Sequence, residues 1–324
     1  MVAGMLGSCC NGSKEAPRQS SAGDIQILRF EQEMFATPAD QLHARLMEVA
    51  PDYRCPLFNV NPEVPTYMQQ VADMAQDPTS REIFDSICVR FPSLDWLQRQ
   101  LSDAFALATK ADGTIRRPKV ITFASGMFDY KNRVVADEGT LLIALDQYVT
   151  PMFGKYGYFY MPRYLVALCD SAHLLPDCMT AVAHAHIQPA EGDELTMLDY
   201  MIYEGKALYF LDVVLPRATH DSVKIRYTDE QWRWAQANES HVWAYFVQHE
   251  LLFEKDYNRF FNLVEDAPKS NAFGESAPRM TAYIGWQIVR RYMKTSGATL
   301  HELFALTDSQ RLLNASGWKP ARAR

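Results

Sequence analysis

The chain has no long basic run and no apolar stretch near the roughly 20 residues that a spanning helix requires. Its longest apolar runs, such as Leu141–Leu145, are far shorter. Lys and Arg total 32 against 39 Asp and Glu, a formal net charge of −7, so the electrostatic footprint of a nucleic-acid binder is missing. There is no Gly-rich phosphate loop, no GxSxG elbow and no HExxH. His249-Glu250 and His301-Glu302 are the only His-Glu pairs, and neither has a second histidine four residues after the first. Cys55, Cys88, Cys169 and Cys178 form no CxxC, which argues against a structural zinc site. Those four allow three disulfide connectivities, between which the sequence does not choose. What is present is ordinary for a folded chain: 48% hydrophobic and 12% aromatic residues over 324 positions. The length allows two domains or one large one.

Leu6-Gly7-Ser8-Cys9 fits a bacterial lipobox, with an apolar residue three before the cysteine and two small residues between. Small residues fit the signal peptidase, and the Cys9 thiol would take the diacylglyceryl group. What precedes Leu6 is shorter than a secretory signal, so a misassigned start or a truncated chain is expected. Residues 10–23 are polar and contain Ser, Gly and Pro, the composition of a tether. The expected division is therefore 1–9 signal remnant and lipobox, 10–23 tether, and 24–324 a single domain. Within it, residues 24–115 are expected to be helical and 116–324 to form an α+β core.

Leu42, Leu46 and Val49 recur at helical spacing, and Pro51 is expected to close that segment. A second helix is expected over 94–110, opened by Ser93. At Lys119 the period changes. KVITFAS alternates, NRVVADEG supplies a short strand and turn, and TLLIALD reads as a buried central strand. The fold class is thus α+β, mostly helical, with a small antiparallel sheet. Helices resume near Arg163, with breaks at 216–218 and 267–278.

The segment 194–212 is apolar nearly all round, the mark of a buried helix. Glu204 falls within its Met197, Met201, Leu208, Leu211 stripe, where a lone carboxylate must be paired, protonated or bound to a cation. Gly205 follows it inside the helix, which suggests a close approach. Arg290 and Tyr283 are the favoured partners for Glu204. Lys206 is a weaker candidate because it lies about 200° around the helix. A plain ion pair holding two helices in register is the simplest account. Thr228 to Gln231 forms a capping box opening a helix whose stripe runs Trp232, Ala235, Val242, Phe246, Phe253, with Glu239 and His249 on the same face. His184 and His186 are expected in a loop, where an extended segment would let them share a face and ligate a metal with Glu204.

These pieces resemble one family. Arg29-Phe30, Ser125-Gly126, IALDQY at Ile143–Tyr148 and YMIYEGKALYF at Tyr200–Phe210 come in its order. They are followed by Leu215-Pro216, YTDEQWRWAQANE at Tyr227–Glu239, LLFEKD at Leu251–Asp256 and YIGWQIVRRYM at Tyr283–Met293. The chain resembles the gliding-motility lipoprotein GldB family of Bacteroidota from Ile27 to Pro320. More weakly, EGKALYF is similar to a segment of the zincin-like peptidase-MA group, whose glutamate is the third zinc ligand. That likeness implies that Glu204 is a remnant ligand, with the missing HExxH falling near Ala181–His186, on a degenerate zincin-like scaffold. Tyr283-Ile284-Gly285 resembles the helix that closes the same cleft.

The resemblance implies a lipid-anchored cell-envelope protein, on the periplasmic side of the inner or outer membrane. It would be non-catalytic, without cofactor or metal, and would bind other envelope proteins but no nucleic acid. Its working surface would be a cleft of Tyr203, Glu204, Lys206, Glu239, Trp243, Tyr283 and Arg290. The rival is a metal-dependent hydrolase that uses His184, His186 and Glu204.

Overall fold

A computed structural model describes residues 24–126, 132–137, 139–192 and 194–320. The lipobox, Cys9 and the tether lie outside the described residues. The first strand, β1 (Ile27–Arg29), leads directly into α1 (Phe30–Phe35). Four helices follow: α2 (Leu42–Tyr53), α3 (Pro65–Gln76), α4 (Pro78–Arg90) and α5 (Asp95–Ala111). Pro65 and Pro78 open α3 and α4, where a missing N–H costs nothing. Asp77 caps α4 by accepting from the Ser80 N–H at 2.7 Å. Pro51 does not close α2 as expected. It sits inside the helix, which ends two residues later at Tyr53.

Next come β2 (Lys119–Phe123), β3 (Val134–Ala136) and β4 (Thr140–Ala144), all three near their expected places. The sheet order is β1-β2-β4-β3. β1 pairs parallel with β2, β2 pairs parallel with β4, and only β3 with β4 is antiparallel. The sheet is therefore mixed, which corrects the antiparallel expectation. Two features explain the difference. The segment 27–29 is a strand although its surroundings are helical, and β3 lies at the edge, so β4 folds back between β3 and β2 and runs parallel to β2. All five residues of β4 are buried, as its continuous apolar run implies. A 3-10 turn follows at Leu145–Tyr148, where the buried Asp146 accepts from Ser125 N, Ser125 Oγ and Gly126 N. Gly126 stands at φ +64°, the left-handed conformation that the turn needs.

The rest of the chain is helical: α6 (Lys155–Tyr158), α7 (Arg163–Val166), α8 (Leu174–His186), α9 (Met197–Val214), α10 (Asp221–Ile225) and α11 (Asp229–Gln248). After these come α12 (Tyr257–Val264), α13 (Met280–Ser296), α14 (Leu300–Ala305) and α15 (Ser309–Ser316). Thr228 and Gln231 make the expected capping box on α11, and Thr196 with Asp199 makes another on α9. One hydrophobic core runs through the described chain, from Ile25 to Leu312.

At its centre α9 crosses α13. A Cβ added to Gly205 would lie 2.4 Å from the Gly285 carbonyl carbon, and one added to Gly285 would lie 1.9 Å from the Met201 oxygen. The two backbones touch, so neither glycine tolerates a side chain. This is the close approach that a glycine inside a buried helix implies.

Candidate functional site

Glu204 leaves α9 one residue before that crossing. Its side chain is 22% exposed, at the wall of a cavity of about 770 Å³ and not in the core as its stripe implies. Its partners are neither Arg290 nor Tyr283. Arg279 Nη2 donates to Glu204 Oε2 at 2.8 Å, and His184 Nε2 lies 3.3 Å from Oε1. Burial alone would raise the carboxyl. The His184 and Arg279 charges, with their hydrogen bonds, outweigh it and hold Glu204 at about 2. Tyr203 stacks on the His184 ring at 5.0 Å and donates to the His184 carbonyl at 3.3 Å. Burial first, and the Glu204 charge second, push the Tyr203 hydroxyl up to about 12.

Arg279 stands at the N-cap of α13 with φ +50°. Arg226, which caps the C-terminus of α10, has φ +64°. A side chain in the left-handed region is strained, and such strain gathers at functional sites. Both arginines line the cavity, together with Arg133, Asp177, Asp266 and Lys224. The charges alternate around its wall. Arg279 Nη1 lies 3.5 Å from Asp266, Arg226 Nη1 lies 4.0 Å from Asp266, and Arg226 Nε lies 3.8 Å from Asp177. Arg133 Nη1 lies 3.6 Å from Asp177, which also accepts from the Tyr148 hydroxyl at 2.8 Å. Burial opposes ionisation of Asp177, but the Arg226 and Arg133 charges hold its pKa below the usual carboxylate value. Arg226 Nε and Nη2 are buried and make no hydrogen bond. Tyr164, Tyr200 and Tyr257 supply aromatic wall.

Of the expected cleft residues, the structure brings only Tyr203 and Glu204 to this cavity. Lys206 points away, buried, with Nζ donating to the Leu306 carbonyl at 2.5 Å. Burial lowers its ammonium to about 8. Tyr283 donates to the buried Glu239 at 3.3 Å, and neither residue lines the cavity. Trp243 packs edge-on against Trp318 at 5.1 Å. Arg290 grips Asp212 through Nε at 2.7 Å and Nη2 at 2.8 Å.

His184 and His186 are not in a loop: they form the last turn of α8. Two residues apart on a helix, they point nearly opposite ways. His186 faces a second cavity of about 530 Å³, beside Asp112 and His301, while His184 faces Glu204. The His184, His186, Glu204 ligand set is therefore not assembled. Among the described residues, no group of three or more His, Cys, Asp and Glu is placed to hold a metal ion. His249 and Phe253 leave the expected buried stripe because α11 ends at Gln248, and both are exposed.

Sequence reasoning missed Arg226 and Arg279. One signal was readable for Arg279: a cation at a helix N-terminus opposes the macrodipole, so it must be held there by something else. That something is Glu204.

A comparison with protein families matches the description of gliding motility protein GldB across residues 12–320. No curated protein matches the chain. No solved structure matches it either. The chain belongs to the gliding motility protein GldB family.

Proposed function

We propose that the protein is a lipid-anchored, non-catalytic component of the cell envelope that acts by binding a partner protein in the Glu204–Arg279 cavity. The observation that carries this reading is the pairing of Glu204 with Arg279 at 2.8 Å. A guanidinium takes the carboxylate that the peptidase likeness would assign to zinc. The same likeness puts the lost HExxH near Ala181–His186, and that end of α8 does face Glu204 through His184. A general acid or base works best with a pKa near the working pH. Held at about 2, Glu204 is ionised and weakly basic, suited to recognition by charge more than to proton transfer. The lipobox at Cys9 agrees with the lipoprotein label that the family carries. Among the described residues, no helix is long and apolar enough to cross a membrane.

Elemental analysis of the purified chain tests the non-catalytic part. No stoichiometric zinc is expected, before or after zinc loading and dialysis. About one zinc per chain, lost in Glu204→Ala or His184→Ala, would overturn this reading and favour the metal-dependent hydrolase.

A further inference from the structure

The four most exposed large apolar side chains among the described residues are Tyr160 at 92%, Met152 at 88%, Val89 at 83% and Tyr158 at 69%. They lie on two adjoining segments. Lys155, within residues 150–162, reaches Glu82 of α4 at 2.7 Å. Val89 is seven residues beyond Glu82, two turns along the same face of α4. Arg90 donates to Ser171 Oγ at 2.6 Å and ties the chain beyond α7 to the same helix. Tyr160 is displayed at φ +57°, a conformation that a bulky residue rarely adopts, so its outward direction is held against local preference. Exposed Arg90 and Arg163 flank the patch, and Lys155 Nζ sits 5.8 Å from the Tyr158 ring centre.

We propose that this patch is a membrane-contact surface that rests on the headgroup–acyl boundary of an anionic bilayer. The proposal rests on the lipid-anchor reading of Cys9. The chain from Cys9 to Asp24 spans at most about 50 Å, so an acylated Cys9 keeps the start of the body within that distance of the bilayer and raises its local concentration there. The side chains suit that boundary. Tyrosines place an apolar ring inward and a hydroxyl in water, and flanking arginines attract anionic headgroups.

Cosedimentation with vesicles of phosphatidylethanolamine and phosphatidylglycerol tests it, using the unacylated Cys9→Ala full chain so that the anchor contributes nothing. That chain is expected to bind, and Met152→Ser with Tyr158→Ser and Tyr160→Ser to bind about tenfold more weakly or less, with unchanged melting. Val247→Ser with Phe253→Ser, exposed apolar residues elsewhere, should bind as before. Vesicle binding that is absent, or equal in the triple variant, overturns the proposal. So does a dimer that the triple variant splits, since the patch would then face a second copy. The anchor is tested separately: if the wild type, made with a complete signal, is not acylated while Cys9→Ala still binds vesicles, the anchor reading fails and the contact surface stands.

Discussion

Two ionic clusters sit near the α9–α13 crossing, and they are built to different standards. Around Arg290 every carboxylate oxygen of Asp212 is filled. Oδ1 takes Lys224 at 2.7 Å and Arg290 at 2.8 Å, while Oδ2 takes Arg290 at 2.7 Å and the Trp286 indole N–H at 2.9 Å. The guanidinium also stacks on Trp286 at 3.7 Å. Around the cavity, by contrast, Asp177 and Asp266 stand 3.5 to 4.0 Å from their arginines, beyond good hydrogen-bond reach. Two of the arginines are held on strained backbone, and Arg226 keeps buried donors unused. A buried donor left unmade costs about 1–3 kcal/mol. The filled cluster fixes helices. The looser one leaves Arg226 donors unused, and under the proposed function that slack is taken up by a partner.

The difference can be broken by removing what the two clusters share. Gly285→Ala drives a methyl into the Met201 carbonyl, so it should destabilise by about 3 kcal/mol or more and disturb both clusters together. Urea melts read it. A loss under about 1 kcal/mol would show that the crossing relaxes easily and the clusters do not depend on it.

Comparing one arginine from each cluster sharpens the contrast. Arg290→Gln removes two of the four bonds to Asp212 and the stacking on Trp286, and should cost about 3 kcal/mol although Lys224 stays on Asp212. Arg226→Gln should cost less, about 1 kcal/mol, because its hydrogen bonds are largely unmade and Arg133 stays beside Asp177. Equal losses in the two melts would erase the distinction between a structural and a poised cluster.

Glu204 gives an effect with a pH signature. Its carboxyl titrates at about 2 in the fold, below its ordinary 4.5. A depressed carboxyl contributes stability that is present above about 4.5 and is lost as pH falls toward 2. At pH 7, Glu204→Gln should therefore cost about 2–3 kcal/mol, and the gap from wild type should close between about pH 4.5 and 2. A gap that does not change with pH would mean that Glu204 is not ionically held.

Much of this was legible in the sequence, and the failures have causes. The apolar run of TLLIA and the all-round apolarity of 194–212 point to a buried strand and a buried helix, and β4 and α9 (Met197–Val214) stand there because neither segment offers a polar face to solvent. Gly205 signalled the helix contact because little else explains a glycine there. β1 was lost because three residues carry too little period to stand out between helical segments. The partner of Glu204 is not legible in the sequence because periodicity places a residue on a face of its own helix and says nothing about which loop comes over it. Arg279 arrives from such a loop, on a left-handed backbone that no spacing rule encodes. His184 does not show as helical in the sequence because the helix formers around it, AVAHAH, are interrupted by two histidines.

The most direct test of the cavity as the working surface is colony spreading by a gliding bacterium that lacks its own GldB protein and carries this chain with a complete signal. Glu204→Gln and Arg226→Gln, each shown to be folded by melting and present in the membrane fraction, are expected to abolish spreading that the wild-type chain restores. Spreading equal to wild type in both variants would contradict the account and leave the cavity without a part in function.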